Sequence, residues 1–144
     1  MNPAPVTRKL AGVMLALVLC QFGQAEQSVE VGGYTVHYSV VPSTFLQPSV
    51  AARHNIVRAN NRAVITIAAR HERSMKPPSQ ISGSFTNLLS QKIALEFKQI
   101  VEGDARYFIA AFLYTSEEPL TFRIQLHLAD GPKSVTFKQA VYAL

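Results

Sequence analysis

Residues 120–128 read Leu-Thr-Phe-Arg-Ile-Gln-Leu-His-Leu, and apolar side chains occupy every second position. Leu120, Phe122, Ile124 and Leu126 therefore share one face of an extended chain, while the polar side chains between them share the other face. A period of two is typical of a half-buried strand in an antiparallel sheet. The stretch predicts a strand with one face in a hydrophobic core and the other in solvent.

The same alternation recurs along the chain between turn residues, and it predicts an all-β domain of about seven strands. Its clearest further examples are Tyr34–Val40, Arg62–Arg70, Ile81–Leu89, Lys92–Val101 and Ala105–Thr115. Short strands at this spacing are typical of an antiparallel β-sandwich, and a small closed β-barrel is the alternative. The stretch from Asp104 to Tyr107 resembles the tyrosine corner of immunoglobulin-like sandwiches, which makes that topology the preferred one.

The first 25 residues have the order of a secretory signal peptide. Arg8 and Lys9 precede the apolar run Leu10–Cys20, and the small residues Gly23 and Ala25 follow it. This run is shorter than the roughly 20 residues that a membrane-spanning helix needs. We therefore expect cleavage after Ala25, export to the periplasm, no stable membrane anchor, and a single mature domain over residues 26–144.

Charge and cysteine content exclude several classes of function. Loss of two basic residues with the leader would lower the formal charge from +5 to +3, and the basic residues are spread along the chain, unlike those of a nucleic-acid-binding face. Cys20 is the only cysteine and lies in the leader. The mature domain thus has no disulfide and no cysteine nucleophile, and its stability must come from its apolar core.

No motif for catalysis, a cofactor or a metal survives inspection. Ser82-Gly83-Ser84 lacks the full nucleophile elbow of hydrolases and lies in a strand pattern. The stretch from His71 begins like a zinc-protease helix, but Met75 stands where the second histidine ligand belongs. We expect no cofactor and no metal site, and a dispersed enzyme site that uses His37, His54 or His127 remains the alternative.

The strand at Ala105–Thr115 is apolar on both faces, which is unusual for a strand with one side in solvent. Phe108, Phe112 and Tyr114 lie on the second of these faces. They are either covered by the chain itself or form an exposed patch for a partner or an apolar ligand. The long connection Pro42–Asn61 is the segment that could cover them.

That connection interrupts the alternation and could contain one helical turn that begins at Pro48. Its polar and basic end, and a short apolar stretch before it, provide the other candidate interaction residues. These are Thr44, Phe45, Leu46, Arg53, His54, Arg58, Asn61 and Arg62. The competing explanations are ordinary solvation for the charged residues and a plug at one sandwich edge for Phe45 and Leu46.

Four short stretches give the chain a resemblance to a known family. They are Tyr34-Thr-Val-His-Tyr38, Ser43-Thr-Phe-Leu-Gln-Pro48, Asn61-Arg-Ala63 and Thr86-Asn-Leu-Leu89. With these the mature chain resembles domain-of-unknown-function family 4426 over nearly its whole length. The resemblance implies a small exported bacterial protein of one domain, and it brings no activity, cofactor or catalytic residue.

The sequence therefore favours a non-enzymatic periplasmic module that binds an unidentified protein partner or a small ligand. A periplasmic carrier of a small apolar ligand is the first alternative, because sequence alone does not distinguish a filled interior from a hollow one. The dispersed histidine enzyme is the second alternative.

Overall fold

The computed structural model describes residues 27–73, 76–103, 105–115 and 117–143. The predicted leader with its cleavage site lies outside these residues, as do Met75 and Asp104. Within the described part, no helix combines the length and the hydropathy that crossing a bilayer requires.

The described chain forms nine strands in two antiparallel sheets. The strands are β1 (Gln27–Val31), β2 (Tyr34–Pro42), β3 (Arg62–His71), β4 (Gln80–Thr86), β5 (Lys92–Leu95), β6 (Lys98–Glu102), β7 (Ala105–Leu113), β8 (Pro119–Leu128) and β9 (Gly131–Ala140). One sheet has the order β1-β2-β3-β7-β6 and the other has the order β5-β4-β8-β9. The prediction of an antiparallel β-sandwich is confirmed, and the two sheets do not close into a barrel.

One additional strand arises because the predicted strand Lys92–Val101 is two strands. β5 pairs with β4 in the smaller sheet, whereas β6 pairs with β7 in the larger one, so the chain changes sheets at residues 96 and 97. Alternation continues through the crossing, since the Phe97 ring still packs against the core between the sheets. The period of two in the sequence therefore does not show where β5 ends and β6 begins.

Gly83 makes room for this crossing. A Cβ atom at Gly83 would lie 2.8 Å from Ile124 Cδ1, 3.0 Å from the carbonyl oxygen of Arg123 and 3.2 Å from a Phe97 ring carbon. Gly83 pairs with Ile124 in the sheet, on the inner face of β4. The sequence Ser82-Gly83-Ser84 is therefore explained by packing.

A cluster of aromatic rings fills the space between the sheets. Phe122 is fully buried at its centre. Ring centroids lie 5.6 Å apart for Phe112 and Phe122, 5.1 Å for Phe122 and Phe137, and 4.9 Å for Phe85 and Phe112. Tyr38 stacks on Phe137 at 3.9 Å. Such contacts add to the free energy gained from burying the apolar surface.

The connection between β2 and β3 covers part of the outer face of the larger sheet. It contains a 3₁₀ turn at Ser43–Phe45 and the short helix α1 at Pro48–Arg53, which starts at the proline as predicted. A second apolar cluster lies beneath it, made of Leu46, Ala51, Val64, Ile100 and Ile109 with Ile56 and Tyr107 at its margin. The connection is thus an ordered lid of the sheet.

The face of β7 that this lid covers is opposite to the expected one. Tyr107 and Ile109 lie under the lid, whereas Phe108, Phe112 and Tyr114 belong to the core between the sheets. Both faces of β7 are apolar, so the sequence pattern could not decide which one faces the second sheet. These three aromatic residues are buried, so the chain itself covers them, through the second sheet and not through the connection.

Candidate functional site

One end of the sandwich combines exposed leucines with a cleft, and we call it the leucine end. It comprises Leu88 and Leu89 in the turn between β4 and β5, Leu113 at the end of β7, and the cleft beside them. The exposed fractions of the three leucines are 70% for Leu88, 78% for Leu89 and 58% for Leu113. Exposed leucines concentrated at one end are typical of an interaction surface.

Hydrogen bonds fix the turn that carries Leu88 and Leu89. The Gln91 N–H donates to Asn87 Oδ1 at 2.9 Å, and Asn87 Nδ2 donates to Gln91 Oε1 at 2.7 Å. Ser90 completes the turn with a φ of 61°, a left-handed conformation that costs free energy in a residue other than glycine. The two leucines are therefore presented on an ordered backbone.

A second contact ties this turn to the neighbouring one. The Leu88 N–H donates to Glu118 Oε1 at 2.7 Å, across thirty residues of chain. A hydrogen bond to a carboxylate is stronger than one between neutral groups. The Glu118 carboxylate thus links the leucine turn to the turn between β7 and β8.

The cleft at this end has a volume of about 170 Å³. Phe85, Ile93, Leu113 and Leu120 supply its apolar lining. Its polar lining comes from Asn87, Tyr114, Thr115 and Glu118. The cleft is therefore small and has a lining of mixed polar and apolar character.

Tyr114 forms part of the cleft wall and is 8% exposed. Its backbone N–H donates to the Asn61 carbonyl oxygen at 2.9 Å, but its hydroxyl is buried with no hydrogen-bond partner among the described residues. Burial raises the pKa of Tyr114 above its usual value.

A second unpartnered donor lies at the same end. Arg62 is opposite Leu113 in the pairing of β3 with β7, and its buried Nε–H also has no partner within the described part of the chain. Of the predicted site residues, Asn61, Arg62 and Tyr114 are thus brought together beside Leu113. Sequence reasoning did not propose the three leucines as an interaction surface.

The remaining candidates in the connection make contacts inside it. Arg58 Nη2 donates to the Thr44 carbonyl oxygen at 2.8 Å. Leu46 is buried in the apolar cluster on the outer face of the larger sheet, and Phe45 is half-buried. The backbone N–H of His54 closes the last turn of α1. These residues shape the lid and lie apart from the cleft lining.

Arg53, the last residue of α1, lies near a tyrosine under the lid. Burial, first, and the adjacent Glu102 carboxylate, which accepts a hydrogen bond from the hydroxyl, together raise the pKa of Tyr107 to about 12. The positive charge of Arg53 acts in the opposite direction. The pair Tyr107 and Glu102 thus keeps a neutral phenol beside a carboxylate.

The four histidines are distributed over the fold. His71 Nδ1 accepts the Arg73 N–H at 3.0 Å, and its ring stands edge-on to Tyr34 with centroids 4.8 Å apart. Both residues line a second cleft of about 300 Å³ at the opposite end of the sandwich. Among the described residues, no three side chains of His, Cys, Asp or Glu come together as a metal site requires.

The sequence contains turn residues at the leucine turn, but the apolar pattern around them predicts a strand. Leu88 and Leu89 continue that pattern, which predicts them in the strand Ile81–Leu89, whereas β4 ends at Thr86. Asn87 and Ser90, which flank the two leucines, are frequent turn residues. Giving them more weight would have placed the leucines in a turn.

Comparison with known proteins identifies related sequences and folds. A family model described as "Domain of unknown function (DUF4426)" matches residues 28–143. The crystal structure of a DUF4426 family protein from Pseudomonas aeruginosa PAO1 is similar, with 30% sequence identity, a TM-score of 0.73, and coverage of 85% of this chain and 99% of that one. No curated protein matches the chain.

Two more distant structures share the fold. FetP of uropathogenic Escherichia coli strain F11, expressed recombinantly in the periplasm, is 10% identical at a TM-score of 0.58, with coverage of 83% of this chain and 95% of that one. A copper-bound variant of Campylobacter jejuni P19 is 11% identical at a TM-score of 0.50, with coverage of 80% of this chain and 94% of that one. At these identities the likeness extends to the fold alone.

Proposed function

The chain belongs to the DUF4426 family, and from its own surface we propose that it is an exported, non-enzymatic interaction module that binds a partner protein at the leucine end. The observation that carries the proposal is the exposure of Leu88, Leu89 and Leu113 around one cleft. Solvent-exposed leucines on a hydrogen-bonded turn have no role in the core of the domain. Thr86–Leu89 is also one of the stretches that gave the resemblance to the family.

Order in the turn supports a binding role. Asn87, Gln91 and Glu118 hold the backbone of the turn before any partner arrives, so binding requires little further ordering of the chain. Preorganisation of this kind increases affinity because less conformational entropy is lost on association. A flexible loop with the same leucines would bind more weakly.

A protein partner is favoured over a lipid surface. Glu117 and Glu118 lie in the turn beside the leucines, and acidic groups are repelled by anionic headgroups. Asn61 and Arg62, from the end of the connection, supply the polar edge that surrounds the apolar centre of most protein interfaces.

The absence of a catalytic role is part of the proposal. The Glu118 carboxylate is engaged by a backbone N–H, and burial raises the pKa of Tyr114, which disfavours its nucleophilic phenolate form. Nucleophilic catalysis requires a nucleophile within reach of an available base, and these two groups do not supply one. The described groups at the leucine end therefore suit binding better than nucleophilic catalysis.

Photo-crosslinking in the native cell envelope tests the proposal. A benzophenone amino acid at Leu89 is expected to give a discrete adduct with a protein, and adding Leu113→Asp is expected to abolish it. The same crosslinker at Val101 is the control. Val101 belongs to β6, is 53% exposed, and pairs with Arg106 at the end of β7 that is far from Leu113. Adducts of equal yield from both positions, or adducts with lipid alone, would contradict a specific protein site.

Export is a separate step of the proposal with its own test. It is supported by the order of residues 1–25, in which basic residues, an apolar run and small residues follow one another. The mature product in a periplasmic extract is expected to begin at Glu26, and Ala25→Arg is expected to block processing. A cytoplasmic product that retains Met1, or an unprocessed product fixed in the membrane, would contradict it.

A further inference from the structure

The smaller sheet carries charge of one sign. Its four strands, all of which belong to the described part of the chain, contain three lysines and one arginine and no aspartate or glutamate. The strands of the larger sheet contain both signs, with Glu30 and Glu102 among their residues. Glu96, Glu118 and Asp130 are close to the smaller sheet in sequence but lie outside its strands. A surface of one sign attracts ligands of the opposite sign.

Strand pairing brings three of these four cations onto one face. A single row of paired residues crosses all four strands, in the order Lys92, Thr86, Thr121 and Lys138. Arg123 lies two residues along β8 from Thr121 and therefore shares the same face. The positions between them on β8 are buried in the core, so this face is the outer one. The sequence separates the three cations widely, and only the sheet collects them.

The three cations are open to solvent and are spread over the face. Lys92, Arg123 and Lys138 are all exposed. Lys92 and Lys138 stand at the two ends of the row, three interstrand spacings or about 14 Å apart at their Cα atoms, and Arg123 stands in the next row between them. A single small anion would reach one of these groups, whereas an extended ligand with several charges would reach all three.

Hydroxyl groups occupy the space between the cations. Thr86 and Thr121 separate the two lysines in their row, and Arg123 is flanked across the strands by Ser84 and Thr136. A hydroxyl group both donates and accepts hydrogen bonds. The hydroxyl groups of a sugar do the same, so the two sets are complementary.

We propose that this face, which we call the cationic hydroxyl face, binds an extended anionic polysaccharide. Its carboxylates would pair with Lys92, Arg123 and Lys138, with Arg123 able to form two parallel hydrogen bonds to one carboxylate, and its hydroxyls would bond to the serines and threonines between them. The proposal goes beyond the leucine end, because it assigns a second surface and a second class of ligand. Neither site depends on the other.

Other polyanionic ligands suit this face less well. Every Phe, Leu, Ile and Val of these four fully described strands packs in the core between the sheets. The face therefore offers no large apolar side chain to enter a membrane and no phenylalanine ring on which a nucleic-acid base could stack. It also lacks the apolar centre of most protein interfaces. A polysaccharide requires none of these features, because its own groups are polar.

Oligogalacturonate, a sugar chain with one carboxylate on each unit, is the probe for a test. It is titrated into the purified protein, and amide chemical shifts are followed by NMR. We expect saturable shifts centred on Thr86, Thr121 and Arg123, and weaker binding as the sodium chloride concentration rises, because salt screens exposed charges. Neutral dextran of the same length should not bind. Equal binding of dextran, or shifts centred on the leucine end, would overturn the proposal.

Two triple variants of equal net charge separate a defined face from overall charge. The first carries Lys92→Gln, Arg123→Gln and Lys138→Gln. The control carries Arg70→Gln, Lys98→Gln and Arg106→Gln, which are exposed positions on strands of the larger sheet. We expect the first to bind oligogalacturonate about tenfold more weakly than wild type, since an exposed ion pair contributes roughly two- to threefold in affinity, and the control to bind nearly as wild type does. An equal loss in both would overturn the proposal.

One further variant and two further ligands test the sugar as the occupant. Thr121→Val retains the charge and the shape of the face but removes a hydroxyl, and it should weaken binding about threefold, the effect of one ordinary hydrogen bond. Phosphatidylglycerol vesicles and a single-stranded DNA oligonucleotide should bind more weakly than oligogalacturonate. Unchanged affinity in Thr121→Val, or tighter binding of the vesicles or the DNA, would overturn a polysaccharide site. Each of these results leaves the crosslinking test at Leu89 unaffected.

Discussion

The Ser43 hydroxyl binds both backbone polar groups of Ala59: it donates to the carbonyl oxygen at 3.1 Å and accepts the N–H at 2.9 Å. Ser43 is fully buried, and sixteen residues separate it from Ala59. The contact closes the connection at its base, and the bond from Arg58 to the Thr44 carbonyl oxygen lies beside it. One serine thereby fixes the lid that covers the outer face of the larger sheet.

Ser43→Ala is expected to lower the free energy of unfolding by about 2 kcal/mol, because it leaves the Ala59 N–H without a partner and removes one of the two hydrogen bonds to the Ala59 carbonyl oxygen, which also accepts the Arg62 N–H. Urea denaturation followed by circular dichroism measures the change. Ser134→Ala, at an exposed position of β9, is the matched control and should change stability by less than about 0.5 kcal/mol. Equal stability of the two variants would show that the contact contributes nothing.

Gly83→Ala is expected to destabilise the sandwich by about 1–3 kcal/mol, the usual range for overpacking a core. The new Cβ atom would approach the carbonyl oxygen of Arg123 to 3.0 Å, and a backbone atom in the sheet cannot move aside as a flexible side chain does. Ser84→Ala, the next residue on the opposite face of β4, is the control for denaturation. A Gly83→Ala variant as stable as wild type would mean that Phe97 and Ile124 repack without strain.

Much of the fold was predictable because a half-buried strand leaves a period of two in the sequence. β8 follows directly from this period. The turn at Gly32 and Gly33 follows from the two glycines, each of which has a positive φ. The change of sheets at residues 96 and 97 was not predictable, since it preserves the alternation. Periodicity reports which residues share a face, but not which sheet a strand joins.

The candidate site was less predictable than the fold. Asn61, Arg62 and Tyr114 were proposed from the sequence, but the sequence left open whether Tyr114 is exposed or covered, and the structure buries it. Leu88 and Leu89 were placed in the predicted strand Ile81–Leu89, and leucine is usually a core residue. Whether a leucine at a strand end is covered depends on the neighbouring turns, which residue type does not reveal.

The stability of the domain is expected to fall between about pH 10 and pH 12 through Tyr107. Its pKa is about 12 in the folded protein and about 10 in an unfolded chain. In this window the unfolded chain has lost the proton that the folded chain keeps, so the free energy of unfolding decreases as the pH rises. Below pH 10 both states are protonated and Tyr107 causes no pH dependence.

Urea denaturation of wild type and Tyr107→Phe at several pH values isolates this effect. The free energy of unfolding of wild type minus that of Tyr107→Phe should be constant up to about pH 9.5. Above that pH the difference should decrease, because only wild type loses stability through Tyr107. Glu102→Gln should reduce the shift, because the carboxylate raises the pKa of Tyr107. Parallel stability curves for wild type and Tyr107→Phe up to about pH 11.5 would contradict the assignment.

Glu118→Ala is expected to loosen the leucine turn without unfolding the sandwich. The substitution removes the acceptor of the Leu88 N–H, and hydrogen exchange at that amide should accelerate about tenfold, which corresponds to roughly 1.4 kcal/mol of lost local stability. Glu118→Gln keeps an oxygen acceptor without the charge and should give a smaller acceleration. Glu117→Ala, at an exposed neighbour in the same turn, should leave the exchange rate unchanged.

If the turn binds the partner because it is ordered beforehand, the Leu89 adduct should weaken in proportion to the exchange rate across these three variants. Faster exchange with an undiminished adduct would mean that order in the turn makes no contribution to binding.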